Sequence, residues 1–153
     1  MDKANRPRFP APLPSLEETV FVEMARTTDL LSRRPAQLLK QYTLSPVQYN
    51  VLRILRGAPE GLLCGQIAER MITRDPDITR LLDRMEKRKL LERHRDEPDR
   101  RRVVVRITPE GLALLRRLDK PIQRVHRAQL GHVAPKKLQA LLRQLRECRT
   151  AGE

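Results

Sequence analysis

The chain has 153 residues, enough for one domain with a real core, and carries 32 Lys+Arg against 19 Asp+Glu, a formal net charge of +13. That balance selects a polyanionic partner, nucleic acid ahead of an acidic membrane surface. Aromatics at 3% with no Trp provide few stacking platforms for single strands, so duplex DNA is the favoured polyanion.

Residues 1–14, with Pro7, Pro10, Pro12 and Pro14 among basic and small residues, read as a flexible N-terminal arm or a strap across a partner subunit. Ser15-Leu16-Glu17-Glu18 is a capping box that starts a helix running to about residue 33. Pro35 should break or kink it before a further helical piece through Tyr42. Ser45-Pro46 opens the next helix, with Ser45 as cap, Pro46 at the first helical position and Val47, Val51, Ile54 and Leu55 as its buried stripe. The Gly57-Ala58-Pro59-Glu60-Gly61 stretch ends it as a loop. A short helix over 64–71 presents Ile67, Ala68 and Met71 inward.

Thr73-Arg74-Asp75-Pro76 reads as a turn, with Asp75 capping the following helix and Pro76 at its first position. In that helix, ending near Lys87, Ile78, Leu81, Leu82 and Met85 recur at i, i+3, i+4, i+7. At about 100° per residue the opposite face holds Arg80, Asp83, Arg84 and Lys87, where Asp83 is placed to pair with Lys87 four residues on. Residues 90–95 read as a strand and 96–99 as a turn. Val103-Val104-Val105-Arg106-Ile107 is a β-branched return strand. Arg100, Arg101 and Arg102 thus sit at the tip of a hairpin, where core formation explains them poorly and a phosphate-lined groove explains them well.

Thr108-Pro109-Glu110-Gly111 repeats the cap-then-proline start. The long helix after it, bent at Pro121, places Leu115, Leu118, Ile122, Val125 and Gln129 at alternating steps of three and four, a seam for a partner helix. A last helix over about 135–148 shows Leu138, Leu141, Leu142 and Leu145, a stripe that Cys148 extends as a small buried hydrophobe. The fold expected is mainly α with a small β-hairpin wing. A flexible arm (1–14) leads into an N-terminal dimerisation helix region (15–43), a winged helix-turn-helix (44–108) and C-terminal dimerisation helices (109–153). Leu16, Val20, Leu115, Leu118, Ile122, Val125, Leu138, Leu142 and Leu145 are the expected dimer interface.

This arrangement resembles the MarR family of bacterial transcription regulators over about residues 44–115. The residues that carry the likeness are Leu44-Ser45-Pro46-Val47-Gln48-Tyr49, Ile67-Ala68-Glu69-Arg70, Ile78-Thr79-Arg80-Leu81-Leu82-Asp83-Arg84-Met85-Glu86, Asp99-Arg100-Arg101 and Ile107-Thr108-Pro109-Glu110-Gly111. None is specific alone; all five in order are. The resemblance implies a homodimer on a pseudo-palindromic double-stranded operator, often released by a small aromatic or phenolic effector, and acting as a repressor. Lys89 stands where the family usually has Gly, at a position that commonly needs a left-handed backbone. Asp75-Pro76-Asp77 replaces the usual small hydroxyl residues.

From the resemblance, Arg101 matches the wing arginine that enters the minor groove beside Arg100, and Asp99 orients it by an ion pair. Arg80, Arg84 and Lys87 either contact bases or phosphates or form a solvated face, Thr79 either touches phosphate or is plain helix surface, and Arg74 is a candidate first base or phosphate contact. Asp77 is either a helix-start charge or an acceptor for a cytosine amino group. No apolar run of about 18 residues spans a bilayer, and no apolar leader is present, so a cytoplasmic protein is expected. Cys64 and Cys148 suggest no disulfide scaffold, although Cys64 at a helix start has a route to a lowered thiol pKa and redox sensing. His94, His126 and His132 lack metal-ligand spacing, and no nucleophile–base pair or phosphate-cradling glycine loop is seen, so neither a cofactor nor catalysis is expected. The competing classes are a nucleoid-associated architectural protein without ligand, and a binder of anionic membranes or acidic proteins.

Overall fold

A computed structural model of the chain describes residues 15–73, 75–95 and 103–150. The chain divides between Arg33 and Arg34 into two compact units, and the first helix, α1 (Leu16–Gln41), runs through the division. Within the first unit α1 is capped as its sequence requires, with Ser15 Oγ accepting from Glu18 N at 3.1 Å. The helix there leaves Leu16, Val20, Phe21 and Leu30 exposed. Contrary to the expected break, α1 continues past Pro35 to Gln41. A proline removes one backbone donor. Two turns of favourable burial downstream, where Leu39 is buried and Leu38 packs against the core, offset that loss.

In the second unit α1 is followed by α2 (Pro46–Arg56), β1 (Leu62–Leu63), α3 (Cys64–Arg70), α4 (Ile78–Lys87), β2 (Leu91–Arg95), β3 (Val103–Ile107), α5 (Pro109–Leu130) and α6 (Pro135–Thr150). α2 starts on the predicted cap: Ser45 Oγ accepts from Gln48 N while Gln48 Oε1 accepts from Ser45 N. The core gathers Val51, Leu52 and Leu55 of α2, Ile67 of α3, Leu81, Leu82 and Met85 of α4, Leu91 and Val105 of the strands, and Leu115, Leu118 and Ile122 of α5. Leu52 joins a stripe predicted without it, because α2 packs against both α3 and α5 and so buries a wider arc.

The hairpin strands pair antiparallel from Leu91↔Ile107 to Arg95↔Val103. A third strand that the sequence reading did not foresee, β1, pairs with the other edge of β3 through Leu62↔Val105. Gly61 makes this approach possible: its φ is +86°, and a Cβ there would lie 2.4 Å from Val104 Cγ1.

Three of the residues assigned to a dimer seam belong instead to the core of their own chain. Leu115 and Leu118 are fully buried and Ile122 nearly so, because α5 lays that stripe against α2. α5 continues through Pro121. Val125, Leu138 and Leu145 are half-buried, whereas Leu142 is exposed. Cys148, expected in an apolar contact, is exposed within the single chain, and Cys64 is half-buried at the first position of α3.

Candidate nucleic-acid interface

The helix that the sequence marks for DNA contact is α4, and its boundaries depend on two aspartates. Asp77, not Asp75, is the N-cap, with its Oδ1 accepting from Arg80 N at 3.2 Å. Asp75 Oδ1 accepts from Asp77 N at 2.9 Å, which shapes the turn that delivers the cap. The helix therefore begins at Ile78, two residues later than Pro76 suggested. A second bond fixes its approach from α2, where Asn50 Oδ1 accepts from Ile72 N at 2.9 Å.

The far end closes as a Schellman motif. Lys89 N donates to Glu86 O at 2.7 Å, Leu90 N donates to Met85 O at 3.1 Å, and Lys89 adopts φ +56°. The left-handed conformation foreseen at this position is present, held by a lysine. What holds it is the buried Thr108, whose hydroxyl donates to Lys89 O at 2.6 Å and accepts from Gly111 N at 3.1 Å. Gly111 lies so close to the Leu90 carbonyl that a Cβ would stand 2.2 Å from that oxygen. Arg88 ties the same corner to the end of α1, donating to Thr43 O at 2.6 Å.

Between these ends, Leu81, Leu82 and Met85 anchor one face while Thr79, Arg80, Arg84 and Lys87 are exposed on the other. Arg80 Nε lies 3.2 Å from Asp77 Oδ2, so Asp77 serves as cap and as ion-pair partner. Asp83 does not pair with Lys87. It accepts from Arg93 Nη1 of β2 at 2.6 Å. Arg93 also donates through its backbone N to Glu86 Oε1 at 3.1 Å and through Nη2 to Thr79 O at 3.3 Å. The guanidinium is more buried than its acidic partners (24% exposed, against 44% for Asp83), so geometry favours this strut over the flexible alternative on the helix surface.

The consequence is electrostatic as well as mechanical. Arg93 neutralises two carboxylates that would otherwise repel phosphate, and among the described residues Arg84 and Lys87 carry no ion pair of their own. Sequence reasoning missed Arg93, yet a signal existed. Strand alternation puts it on the same face as the buried Leu91, an unusual place for a cation without acidic partners opposite.

Arg74 and the hairpin tip, with Asp99, Arg100, Arg101 and Arg102, lie outside the described residues. β2 and β3, which precede and follow residues 96–102 in sequence, pair with each other. His94 Nε2 lies 2.8 Å from Glu92 Oε1 on the exposed side of β2. Among the described residues no group of three or more His, Cys, Asp and Glu is placed to hold a metal, and no helix is long and apolar enough to cross a membrane.

A helix-turn-helix whose second helix presents cations, flanked by a basic hairpin, is a geometry for duplex DNA. Comparison with known proteins agrees. A profile described as MarR family matches residues 42–102. A MarR transcription factor from Planctomyces limnophilus is 38% identical in its solved structure, over 88% of this chain and 98% of that one, with a TM-score of 0.67. The PcaV transcriptional regulator from Streptomyces coelicolor, solved in complex with its natural ligand, is 33% identical over 80% of this chain and 92% of its own, with a TM-score of 0.62. The HTH-type transcriptional regulator PecS of Dickeya dadantii is 33% identical over 101 residues, 65% of this chain and 61% of PecS.

Proposed function

Because the chain belongs to the MarR family, we propose that it is a homodimeric, ligand-responsive repressor that binds a pseudo-palindromic operator. The observation that carries this reading is α4 itself, which is anchored at both ends, braced by Arg93 and left with Arg80, Arg84 and Lys87 exposed. In a dimer two such helices enter successive major grooves, while Arg100 and Arg101 of each wing enter the neighbouring minor grooves. Asp99 orients Arg101, Arg74 and Thr79 meet the DNA at the entry to α4, and Arg102 adds charge at the wing tip.

Dimerisation is supported by apolar surface that a single chain leaves uncovered. α6 has no buried residue along its whole length, and Leu141 and Leu142 are 46% and 48% exposed. On α1 Leu16 and Phe21 are 75% and 67% exposed. Ligand response is supported by the relation to PcaV, which was solved with a ligand bound. Repression follows if the occupied operator overlaps the polymerase site.

The test is selection of bound duplexes from a random library, followed by binding across a salt series. A pseudo-palindrome with half-sites about one helical turn apart is expected. Affinity should fall steeply with salt and exceed non-specific binding by about a thousandfold or more. Arg80→Ala and Arg101→Ala should each weaken operator binding more than the loss of a surface cation outside α4 and the wing. If both variants bind like wild type at moderate salt, the interface is misassigned. Strong binding without enrichment would identify an architectural DNA-binding protein instead.

A further inference from the structure

Among the described residues only two other than glycine hold a positive φ, Thr43 and Lys89, both at +56°. Each ends a helix in the same way. Past the end of α1, Thr43 N donates to Lys40 O and Leu44 N to Leu39 O, both at 3.0 Å. Past the end of α4, Lys89 and Leu90 repeat the pattern on Glu86 and Met85. The leucine after each left-handed residue, Leu44 or Leu90, is buried in the core. A side chain in this conformation is costly, and it persists only where the surroundings over-determine it.

One bond joins the two helix ends. The exposed Arg88 is the C-cap of α4, and its Nη1 donates to Thr43 O at 2.6 Å, from 45 positions away in sequence. The acceptor lies just past the C-terminus of α1, where the helix dipole is negative, so the guanidinium is held by charge as well as by the hydrogen bond. Each end is also fixed on another side. The Arg117 guanidinium of α5 lies 5.5 Å from the centroid of the Tyr42 ring, and Lys89 O accepts from the buried Thr108. α1 is the helix that carries Leu16, Val20, Phe21 and Leu30, the exposed apolar residues available to a second copy of the chain. Along the backbone, the route from α1 to α4 passes through α2, β1 and α3. Arg88 makes the same connection in one step.

We propose that Arg88 is a positioning residue for operator recognition: by tying the end of α4 to the end of α1 it fixes the distance and angle between the two α4 helices of a dimer, and so sets the half-site spacing that the protein accepts. The inference rests on the dimeric regulator reading above and deepens it by assigning spacing selectivity to one side chain. Loss of the bond leaves each α4 intact, because Asp77 caps its start and backbone groups close its end without the Arg88 guanidinium. It leaves the two copies of α4 free to adjust to each other. Affinity for the preferred spacing then falls, and the penalty for a wrong spacing shrinks with it.

The test measures, by anisotropy, binding of the full chain to four kinds of duplex. These are the selected operator, versions with one base pair inserted or removed between half-sites, and a single half-site. One base pair moves a half-site by about 3.4 Å and turns it by about 35°, so wild type should lose about tenfold or more on either change. Arg88→Met keeps the apolar stem and removes the donor. It should bind the selected operator about threefold more weakly and discriminate spacings by less than about threefold, while binding the single half-site as wild type does. Arg88→Gln carries the same expectation with less change of polarity, and decides the matter should Arg88→Met not fold. Wild-type spacing discrimination in the folded variant overturns the proposal. An equal loss on every duplex, single half-site included, also overturns it, because Arg88 would then be a phosphate contact. A wild-type protein that selects no paired half-sites would sink the regulator reading and this proposal with it.

Discussion

Helices α4 and α6 are both amphipathic, yet they end in opposite states. α4, 10 residues long, buries Leu81, Leu82 and Met85, whereas α6, 16 residues long, buries none. The leucines of α6 recur as regularly as the apolar residues of α4. The difference lies in what stands opposite. α4 meets α3 and β2, while α6 makes no dense contact with another element among the described residues. An apolar stripe identifies a face that must be covered; it does not say by which chain. In the proposed regulator, the helix that reads DNA is stabilised from within and the helix that pairs subunits is stabilised from without.

This contrast breaks most directly at one leucine in each helix. Leu82→Ala should cost about 4 kcal/mol of stability at any protein concentration, the range for a cavity in a closed core. Leu142→Ala should cost the isolated chain little and instead weaken self-association, so its effect depends on protein concentration. Denaturant unfolding at two concentrations, with sedimentation for the oligomer, separates them. Equal, concentration-independent losses would show that α6 packs like α4.

The corner behind α4 offers the next largest effect. Gly111→Ala should cost about 3 kcal/mol, because the new methyl meets a backbone carbonyl that cannot rotate away. Chemical denaturation measures it, and a loss under about 1 kcal/mol would mean that the corner relaxes. A smaller effect, functional rather than structural, is expected at the strut. Arg93→Ala leaves Asp83 and Glu86 unneutralised beside phosphate and α4 unbraced, so operator affinity should fall about tenfold, or about 1.4 kcal/mol. Arg93→Lys should restore it only in part, since an ammonium cannot serve Asp83, Glu86 and the Thr79 carbonyl from one fixed fork. Unchanged operator binding by Arg93→Ala would reduce the strut to decoration. Smallest of all, Lys89→Gly should stabilise by about 1 kcal/mol, the cost of a left-handed backbone for a residue with a side chain. α6 offers no comparable gain, because no residue within it has a positive φ.

Much of the fold follows from short-range chemistry that a linear chain displays. Ser15 and Ser45 cap because a hydroxyl three residues ahead of a free backbone N–H can reach it. Lys89 turns left-handed because the helix must end before a strand begins two residues later. The apolar face of α4 and the hairpin were legible from periods of 3.6 and 2. Of the positions that misled, one was a local contest and the others were decided from a distance. Pro76 beside Asp75 looked like a helix start, but the turn needed both aspartates, and only Asp77 stands in reach of Arg80 N. The expected Asp83–Lys87 pair lost to Arg93, ten residues away and held in place by β2. Leu115, Leu118 and Ile122 had the spacing of a partner seam and were claimed by α2 of the same chain.

By itself, then, the sequence determined the caps, the turns, the amphipathic faces and the positive charge, because each depends on neighbours within about four residues. Only the tertiary structure decided which apolar stripe is core, which carboxylate is neutralised, that β1 completes the sheet and that Arg88 meets the Thr43 carbonyl. These are competitions between distant partners, settled by which groups the packed helices and strands bring within a few ångströms of one another.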